Sequence, residues 1–448
     1  MCGILAQYNY NHENSLKLIE FITTLQKIQH RGHDSFGISY LNDDIITISR
    51  KGLIKNNLNI SNDSICSRCY LGHVRYKTSG NFESNTYQPI YGENKFGKFS
   101  FVFNGNLSLS QYNKLFQTNY QLDSQLILFV LQKRAHCFNN WRELMVYLQN
   151  TFDRAFSLII MTTNKLYIAR DRFGVRPLCY IKGEDNIQIC SENVAFNQTL
   201  LPNIIDVNPG EVLEIFQDKV EHLYTYQNYN LGICLFEYIY FLHGQTIWNG
   251  IEANKFRYNC GIQLGIQETN DQIIKHPENY VVVGIPQTGI IGGNGYAKIR
   301  EIPYFQYITK NKNVNRTFIL REEERDTISK KKYIYDSNLK DKKVIIIDDS
   351  IVRGITTKNI IKKLKEMGVI EIHIRVNAPP ITNICAYGID IPKKEELIAN
   401  NVELEALASF LECDSVSYLK IDNIKKILPN FDDLCTGCFN GNYKNLDW

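Results

Sequence analysis

The 448-residue sequence has no continuous apolar stretch of the roughly eighteen residues that a membrane-spanning helix needs, so no membrane span is predicted. It also lacks a strong charge of either sign, because 50 Lys and Arg residues oppose 47 Asp and Glu residues, for a formal net charge of +3. Such a balance does not indicate nucleic acid as a partner. The length instead predicts two to three domains, and a hydrophobic content of 44% is sufficient to form full cores.

The most informative segment lies between residues 344 and 357. Val344 to Ile347 is a run of branched apolar residues, typical of a buried parallel strand, and Asp348 and Asp349 follow it. The loop after this acidic pair contains Ser350, Arg353, Gly354, Thr356 and Thr357. Loose backbone N–H groups at a helix N-terminus favour phosphate, whereas two carboxylates repel phosphate and suit a pair of sugar hydroxyls. The segment therefore predicts a site for ribose on its acidic arm and for a 5-phosphate on its Gly/Thr arm.

This order of strand, acidic pair, loop and helix resembles the motif that binds 5-phosphoribosyl-1-pyrophosphate (PRPP) in type I phosphoribosyltransferases. The alternative interpretation is an ordinary strand-to-helix turn with a capped helix. The flanks favour a βαβ unit, because Lys358 to Met367 has helical spacing, Gly368 lies where a C-cap glycine is expected, and Glu371 to Val376 alternates like a strand. We expect the ligand at the carboxyl edge of the sheet.

The other end of the chain begins Met1-Cys2-Gly3. We expect Met1 to be removed, because cysteine is small enough to permit it. An N-terminal cysteine carries its own base: its amine and its thiol have ordinary pKa values of about 8 and about 8.5, so the amine can take the thiol proton near neutral pH. A nucleophile at this position leaves no place for a signal peptide, and a cytoplasmic location with reduced thiols is expected.

Several stretches of the first half resemble the motifs of N-terminal-nucleophile glutamine amidotransferases. They are His30 to Ile38 (HRGHDSFGI), Leu71 to Gly80 (LGHVRYKTSG), Phe103 to Leu107 (FNGNL), Arg170 to Leu178 (RDRFGVRPL), Ser191-Glu192 and Asp206 to Glu211 (DVNPGE). Their conserved order along the chain makes a chance match improbable.

The resemblance implies a role for each of six residues. Cys2 would attack the side-chain amide of glutamine, and Asn104 and Gly105 would form the oxyanion hole. Arg75 would bind the α-carboxylate of glutamine, and Asp123 would bind its α-ammonium group with help from Thr78. Without the resemblance, Arg75 is interpreted as a surface charge and Asp123 as the N-cap of a helix.

The second half resembles the amidophosphoribosyltransferase family, and with the first half the resemblance extends from Cys2 to Tyr443. The segments that carry it are Phe236 to Phe241 (FEYIYF), Ile302 to Tyr304, Lys310 to Phe318, Ala378 to Pro380, Tyr387 to Pro392 and Asp414 to Val416. The implied reaction is glutamine + PRPP + water → 5-phosphoribosylamine + glutamate + pyrophosphate, the first committed step of de novo purine synthesis. Lys310 and Arg316 are candidates for the pyrophosphate, and Mg²⁺ would bridge PRPP oxygens. The basic stretch 321–332 falls where the family has a closing loop; the alternative for its lysines is a solvated charge run.

The resemblance also implies the fold and the organisation. Residues 2–228 would form a glutamine amidotransferase domain, an αββα sandwich of two antiparallel sheets. Residues 229–448 would form a phosphoribosyltransferase domain, a doubly wound and mostly parallel α/β sheet. Ammonia would reach PRPP through an apolar passage from which water is excluded. Family members are homo-oligomers inhibited by purine nucleotides, so a homodimer or homotetramer with nucleotide inhibitors is expected.

Four of the twelve cysteines, Cys234, Cys385, Cys435 and Cys438, stand where one branch of this family binds a [4Fe–4S] cluster. Thiolates from separated segments also suit zinc, the second candidate metal. A third interpretation is a group of buried thiols without a metal.

Some residues depart from the family motifs. Phe36 and Lys77 are larger than the usual residues and are expected to border the glutamine pocket, and Gln287 replaces a carboxylate. They motivate an alternative function: an ammonia-dependent enzyme or a regulatory relative whose glutamine site is uncoupled. Other amidotransferases with an N-terminal nucleophile lack the segment DDSIVRG, which excludes them.

Overall fold

The structure is a computed structural model that describes residues 1–10, 16–56, 65–76, 87–197, 203–227, 231–311, 332–391, 393–428 and 430–443. None of the helices in these ranges is both long enough and apolar enough to span a membrane.

The first half of the chain forms two antiparallel sheets packed face to face. In chain order the strands are β1 (Gly3–Asn9), β2 (Ser35–Asn42), β3 (Asp44–Lys51), β4 (Cys69–Arg75), β5 (Ile90–Asn94), β6 (Gly97–Gly105), β7 (Phe156–Thr162), β8 (Leu166–Arg170), β9 (Cys179–Lys182), β10 (Asn186–Cys190), β11 (Ile204–Asp206), β12 (Glu211–Phe216) and β13 (Lys219–Thr225). One sheet has seven strands in the order β11-β9-β10-β1-β4-β2-β3, and the other has six in the order β13-β12-β8-β7-β6-β5. A two-residue ladder also joins Leu16–Lys17 to Cys66–Ser67.

Helices cover the outer face of each sheet. They are α1 (Leu18–Gln26) on the seven-stranded sheet and α2 (Leu109–Phe116), α3 (Asp123–Lys133) and α4 (Trp141–Thr151) on the six-stranded sheet. Because side chains alternate along a strand, Ile4 of β1 packs in the core between the two sheets, whereas Leu5 packs in the core under α1. Both faces of each sheet are therefore buried, and the predicted αββα sandwich is confirmed.

The second half is built around a parallel sheet. Its strands are β14 (Ile233–Cys234), β15 (Tyr280–Gly284), β16 (Ile308–Lys310), β17 (Tyr333–Tyr335), β18 (Lys343–Asp348), β19 (Glu371–Val376), β20 (Ser415–Tyr418) and β21 (Leu434–Cys435). The parallel sheet has the order β15-β18-β19-β20, while β16 pairs with β17 and β14 with β21. Another short ladder joins Ile247–Trp248 to Ile251–Glu252.

The helices of the second half lie on both faces of this sheet. They are a π-helix (Glu237–Phe241), α5 (Ala253–Ile266), α6 (Asp271–Lys275), α7 (Thr288–Arg300), α8 (Ile355–Glu366), α9 (Ile398–Asn401), α10 (Leu407–Leu411), α11 (Ile421–Lys425) and α12 (Gly437–Asn440). Helices α5 and α7 pack on one face, and α8 and α10 pack on the other. The predicted doubly wound α/β fold is thus confirmed.

The strand order reverses beside β15. Val282 of β15 makes a parallel bridge to Tyr304 on one side, and β18 pairs with β15 on the other. A crevice opens at such a reversal, outside the carboxyl ends of the strands. Asp348 and Asp349 lie at that end of β18, which is where the sequence predicts the ligand.

Candidate active sites

Cys2 lies directly before β1, and its backbone is held by the second sheet. Its N–H donates a hydrogen bond to the Oδ1 atom of Asn104 (3.2 Å), and its Sγ atom lies 3.9 Å from the carbonyl oxygen of Tyr76. Burial alone would raise the pKa of the Cys2 thiol, but the imidazole of His73, the charge of the N-terminus and the backbone of Tyr76 together lower that pKa to about 6. A thiol with this pKa is largely thiolate at neutral pH, as a nucleophile requires.

Sequence reasoning missed His73. It belongs to β4 and lies opposite Ile4 of β1, so its imidazole faces the same side of the sheet as Ile4 and Cys2. The side chain is completely buried, and neither ring nitrogen has a conventional hydrogen-bond partner among the described residues. His73 can be seen in the sequence, but its position beside Cys2 can be inferred only once the register between β1 and β4 is known.

Asn104 and Gly105 end strand β6 beside Cys2. The Nδ2 atom of Asn104 is buried and has no partner in the described part of the chain, although Oδ1 is engaged by Cys2. A Cβ atom on residue 105 would lie 2.4 Å from the carbonyl oxygen of Ala155, so the close approach of the strands requires glycine. An unpaired buried N–H donor next to a thiolate is the arrangement that stabilises an oxyanion.

Asp123 is brought close to Cys2 at the first residue of α3. The residue that caps this helix is Leu122, so the alternative interpretation of Asp123 as an N-cap is wrong. Its carboxylate instead accepts a hydrogen bond from the N–H of Leu107 (3.2 Å). Burial raises the pKa of Asp123 to about 7, and the charge of Cys2 contributes to this shift. A buried carboxylate of this kind favours a cationic ligand.

Arg75 and Thr78 are the two other residues expected to bind glutamine. Arg75 ends β4 opposite Ser35, next to the group formed by Cys2, Asn104 and Asp123. Thr78 and Lys77 lie outside the described residues. Phe36 does not border the pocket in the way that the sequence suggested, because its side chain is buried in the core under α1.

The acidic pair at the end of β18 forms the second site. The N–H of Asp349 donates to Oδ1 of Asp348 (2.9 Å), the hydroxyl of Ser350 donates to Oδ1 of Asp349 (2.7 Å), and the hydroxyl of Thr288 also donates to Asp349. Burial, followed by the charge of Asp349, raises the pKa of Asp348. Two buried carboxylates with raised pKa values are suited to hydroxyl donors or a cation.

The loop after the acidic pair leads into α8. Gly354 is the N-cap of this helix and has a φ of 77°, a left-handed conformation that favours glycine. Thr356 and Thr357 lie in the first turn, and Thr357 is buried. Arg353 points toward the surface, where it donates to Glu396 (2.7 Å) with both side chains about half-exposed.

A lysine beside the two-stranded β16–β17 ladder acts on this site. Lys310 ends β16 opposite Tyr333, and Lys332 directly precedes β17. The charge of Lys332 acts on both Asp348 and Asp349. Arg316 and residues 321–331 lie outside the described ranges.

Tyr240 of the π-helix is about half-exposed, and its phenol is within electrostatic range of Asp349, Asp348 and Tyr76. The carbonyl oxygen of Tyr76 is itself a contact of the Cys2 thiol. Tyr240 therefore lies near groups of both sites.

The four predicted cysteine ligands also converge. Cys234 lies opposite Cys435 in the β14–β21 ladder, and Cys438 interacts electrostatically with Cys234, Cys385 and Cys435. Within the described ranges no three His, Cys, Asp or Glu side chains meet closely enough to hold one metal ion.

This arrangement defines a class of protein: an N-terminal-nucleophile amidotransferase fold joined to a phosphoribosyltransferase-type α/β fold. Residues 73–198 match the glutamine amidotransferase domain family. The amidophosphoribosyltransferase of Methanothermobacter thermautotrophicus is 32% identical over 99% of this chain and 94% of its own length. That of Bacillus subtilis is 30% identical over 99% of this chain and 94% of its own length.

Solved structures agree with these relatives. The B. subtilis glutamine PRPP amidotransferase, complexed with ADP and GMP, superposes with a TM-score of 0.86 at 28% identity and covers 99% of this chain and 97% of its own. The chain belongs to the amidophosphoribosyltransferase family. It is a glutamine-dependent pentosyltransferase of the first step of purine biosynthesis, and the predicted family, fold class and activity are confirmed.

Proposed function

We propose that the reaction is divided between a glutamine amidotransferase domain over residues 2–228 and a phosphoribosyltransferase domain over residues 229–448. The observation that carries the first assignment is the geometry at Cys2, where a thiol of lowered pKa, an unpaired amide donor of Asn104 and the carboxylate of Asp123 lie together. These groups supply a nucleophile, an oxyanion donor and an ammonium acceptor.

In the first half-reaction the Cys2 thiolate attacks the side-chain amide of glutamine and forms a thioester, which water hydrolyses. The Nδ2 atom of Asn104 and the N–H of Gly105 would stabilise the oxyanion, a contribution of about 3–4 kcal/mol. Arg75, Asp123 and Thr78 would hold the amino-acid end of glutamine. The amine of Cys2 becomes free only when Met1 is removed; in the described chain Met1 is buried in the core shared by both halves, and burial lowers the pKa of its amine to about 5.

In the second half-reaction ammonia displaces pyrophosphate from C1 of PRPP. Asp348 and Asp349 would accept the ribose hydroxyls, and the loop with Ser350, Arg353, Gly354, Thr356 and Thr357 would bind the 5-phosphate through backbone N–H groups, hydroxyls and the start of α8. Arg353 would have to leave Glu396 to take part. Lys310 and Arg316 would bind pyrophosphate. The raised pKa values of the acidic pair fit Mg²⁺, which when bound would neutralise charge on PRPP.

Ammonia must pass from Cys2 to the acidic pair without protonation in bulk water. Tyr240 supports a short path, because its phenol is near both Tyr76 and the two aspartates. Since Tyr240 and Tyr76 are 48% and 36% exposed, this path would have to be closed to water during transfer.

The convergence of Cys234, Cys385, Cys435 and Cys438 supports a [4Fe–4S] cluster as the group they would hold, with zinc as the second candidate. Three of the thiols are buried, and Cys385 accepts a hydrogen bond from the N–H of Tyr387 (3.4 Å). The cluster would cross-link three separate segments of the chain.

We further propose a homodimer or homotetramer that is inhibited by purine nucleotides. The support is the relation to the B. subtilis enzyme, solved with ADP and GMP, and to a structure described as the allosteric regulatory enzyme of purine biosynthesis. The described cysteines form no disulfide bond with one another, which fits a cytoplasmic location.

The alternative function, an ammonia-dependent enzyme or regulatory relative with an uncoupled glutamine site, was motivated in part by Phe36. That part of the argument is weakened, because the side chain of Phe36 packs in the core. The test is glutamate release from glutamine with and without PRPP and Mg²⁺, on protein purified without oxygen and with Cys2 at its N-terminus. Strong stimulation by PRPP that disappears in Cys2→Ala supports the proposal. Pyrophosphate release from ammonia, with no glutamate under either condition, would favour the uncoupled enzyme.

A further inference from the structure

Arg257 of α5 is a buried cation that holds the end of the π-helix, and only 5% of its surface is exposed. Its Nε–H group donates to the carbonyl oxygens of Tyr238 (2.9 Å) and Ile239 (3.1 Å), and an Nη atom donates to that of Leu242 (2.7 Å). The last carbonyl groups of a helix have no partner within the helix. The guanidinium supplies these partners and so fixes how the π-helix ends.

The same guanidinium faces the acidic pair. Arg257 lines a small space together with Thr288 and Asp349, whose side chains are hydrogen-bonded to each other. Burial lowers the pKa of Arg257, and the charge of Asp349 is the influence that most strongly opposes this effect. Because a buried cation depends on nearby negative charge, a ligand that binds Asp349 changes the electrostatic surroundings of Arg257.

The π-helix also reaches the surroundings of Cys2. Its first residue, Glu237, accepts a hydrogen bond from Arg31 (2.9 Å), and Arg31 also donates to the carbonyl oxygen of Cys2 (3.0 Å). Within the helix, the N–H of Leu242 donates to the carbonyl oxygen of Glu237 (2.9 Å), a bond that spans five residues. Helices with this bonding are rare and occur frequently at functional sites. This helix therefore contacts groups of the glutamine site at its beginning and Arg257 at its end.

We propose that Arg257 is a positioning residue that couples the two half-reactions, because it fixes the end of the π-helix in response to PRPP at the acidic pair. The inference rests on the proposed function, in which Asp349 binds PRPP and Cys2 attacks glutamine. A ligand shifts a conformational equilibrium only through interactions that differ between the two states. Arg257 supplies such a difference, because one charged group both faces Asp349 and holds the main chain of the π-helix.

Arg257→Lys tests this proposal. A lysine keeps the positive charge opposite Asp349, but one ammonium group does not reproduce the planar geometry with which the guanidinium contacts three carbonyl oxygens. Arg375→Lys is the matched control, because Arg375 is also almost completely buried in the second half of the chain but pairs with Glu268, outside the π-helix. Each variant is assayed for glutamate release with and without PRPP and for ammonia-dependent pyrophosphate release.

PRPP should raise kcat for glutamate release about fivefold or more in the parent enzyme, a typical size of coupling between two sites, and less than about twofold in Arg257→Lys. Since the charge near Asp349 is kept, KM for PRPP in the ammonia-dependent reaction should change by less than about threefold. Arg375→Lys should leave the stimulation by PRPP unchanged. A stimulation in Arg257→Lys equal to that of the parent, or an equal loss of glutamate release and ammonia-dependent activity, would overturn the proposal.

If Arg257→Lys does not fold, amide hydrogen exchange on the parent enzyme provides the second test. PRPP with Mg²⁺, in the absence of glutamine, should slow exchange over residues 237–246 about fivefold or more. Slowed exchange at residues 348–357 without any change over residues 237–246 would overturn the proposal. A parent enzyme in which PRPP neither stimulates glutamate release nor slows exchange at residues 348–357 would overturn the proposed PRPP site itself, and the coupling with it.

Discussion

The hydroxyl of Thr288 donates a hydrogen bond to the carboxylate of Asp349 and so joins the first residue of α7 to the acidic pair after β18. Helix α7 follows β15, which neighbours β18 in the parallel sheet. The bond therefore spans the crevice in which PRPP is proposed to bind. It is also the strongest influence that opposes burial in setting the pKa of Asp349.

Thr288→Val should weaken PRPP binding. The variant removes one of the two hydroxyls that donate to Asp349 and leaves that of Ser350. A hydrogen bond to a charged group contributes about 1.5–3 kcal/mol, so KM for PRPP should rise roughly ten- to a hundredfold. The measurement is ammonia-dependent pyrophosphate release, which does not require Cys2. Thr288→Ser retains the hydroxyl and should behave like the parent enzyme; equal KM values for the valine and serine variants would contradict the assignment.

The affinity for glutamine should depend on pH through Asp123. Burial raises the pKa of this carboxyl to about 7 in the empty site, and only the ionised form attracts an α-ammonium group. KM for glutamine should therefore rise as pH falls through about 7 and become constant above it. In Asp123→Asn we expect a KM raised roughly tenfold or more at pH 8 and no remaining pH dependence between pH 6 and 8. A pH profile of KM that is the same in both proteins would refute the role of Asp123.

His73→Asn should make the nucleophile less acidic. The imidazole of His73 is the main group that lowers the pKa of Cys2 to about 6 against the effect of burial. Without it the pKa should rise by roughly one unit or more. Since the thiolate is the reactive form, the pH profile of Cys2 alkylation should shift to higher pH, with slower alkylation at pH 7. Ammonia-dependent activity serves as the folding control, and an unshifted profile would show that His73 does not act on the thiol.

The segment proposed to bind PRPP could be predicted in some detail because the residues that specify it are adjacent in the chain. The apolar run, the acidic pair and the loop are contiguous, so burial and turn chemistry specify them together. Strand β19 spans Glu371–Val376 as predicted, and Gly368 has a φ of 84° after α8, as a C-cap glycine should. The helix itself begins at Ile355, three residues earlier than its apolar spacing indicated, because Gly354 provides the cap.

The contacts around Cys2 could not be predicted in this way. The guanidinium of Arg31 pairs with the carboxylate of Glu237, which lies 206 residues away in the chain, and nothing local to either residue points to the other. The same holds for Asp123, whose position before an apolar stretch suggested a cap while its carboxylate turns toward Leu107. Long-range pairing of buried charges depends on the register of several strands, and that register has no local signature.

The ion pair between Arg375 and Glu268 should support the stability of the parallel sheet. Two hydrogen bonds of 2.6 and 3.0 Å join the two side chains, and both side chains are almost completely buried. Glu268→Leu leaves Arg375 as an unpaired buried charge, so the free energy of unfolding should fall by about 3–5 kcal/mol in urea denaturation. Glu366→Gln, which removes an exposed partner of Lys363, should change it by less than about 0.5 kcal/mol. Equal effects of the two substitutions would contradict this interpretation.

Cys435→Ser should remove the metal group and loosen the packing of the C-terminal segment against β14. Cys435 lies opposite Cys234 in the β14–β21 ladder, so it is placed to bind the same group from the other strand. Anaerobically purified parent protein should contain about four iron and four sulfide per chain, and the variant should contain neither and unfold at a lower temperature. Cys413→Ser is the control, because Cys413 lies outside the group and bonds only near Ser415. Zinc without sulfide in the parent protein would support the second candidate metal. The absence of any metal would support the third interpretation, thiols without a metal, among which burial raises the pKa of Cys234 and Cys438.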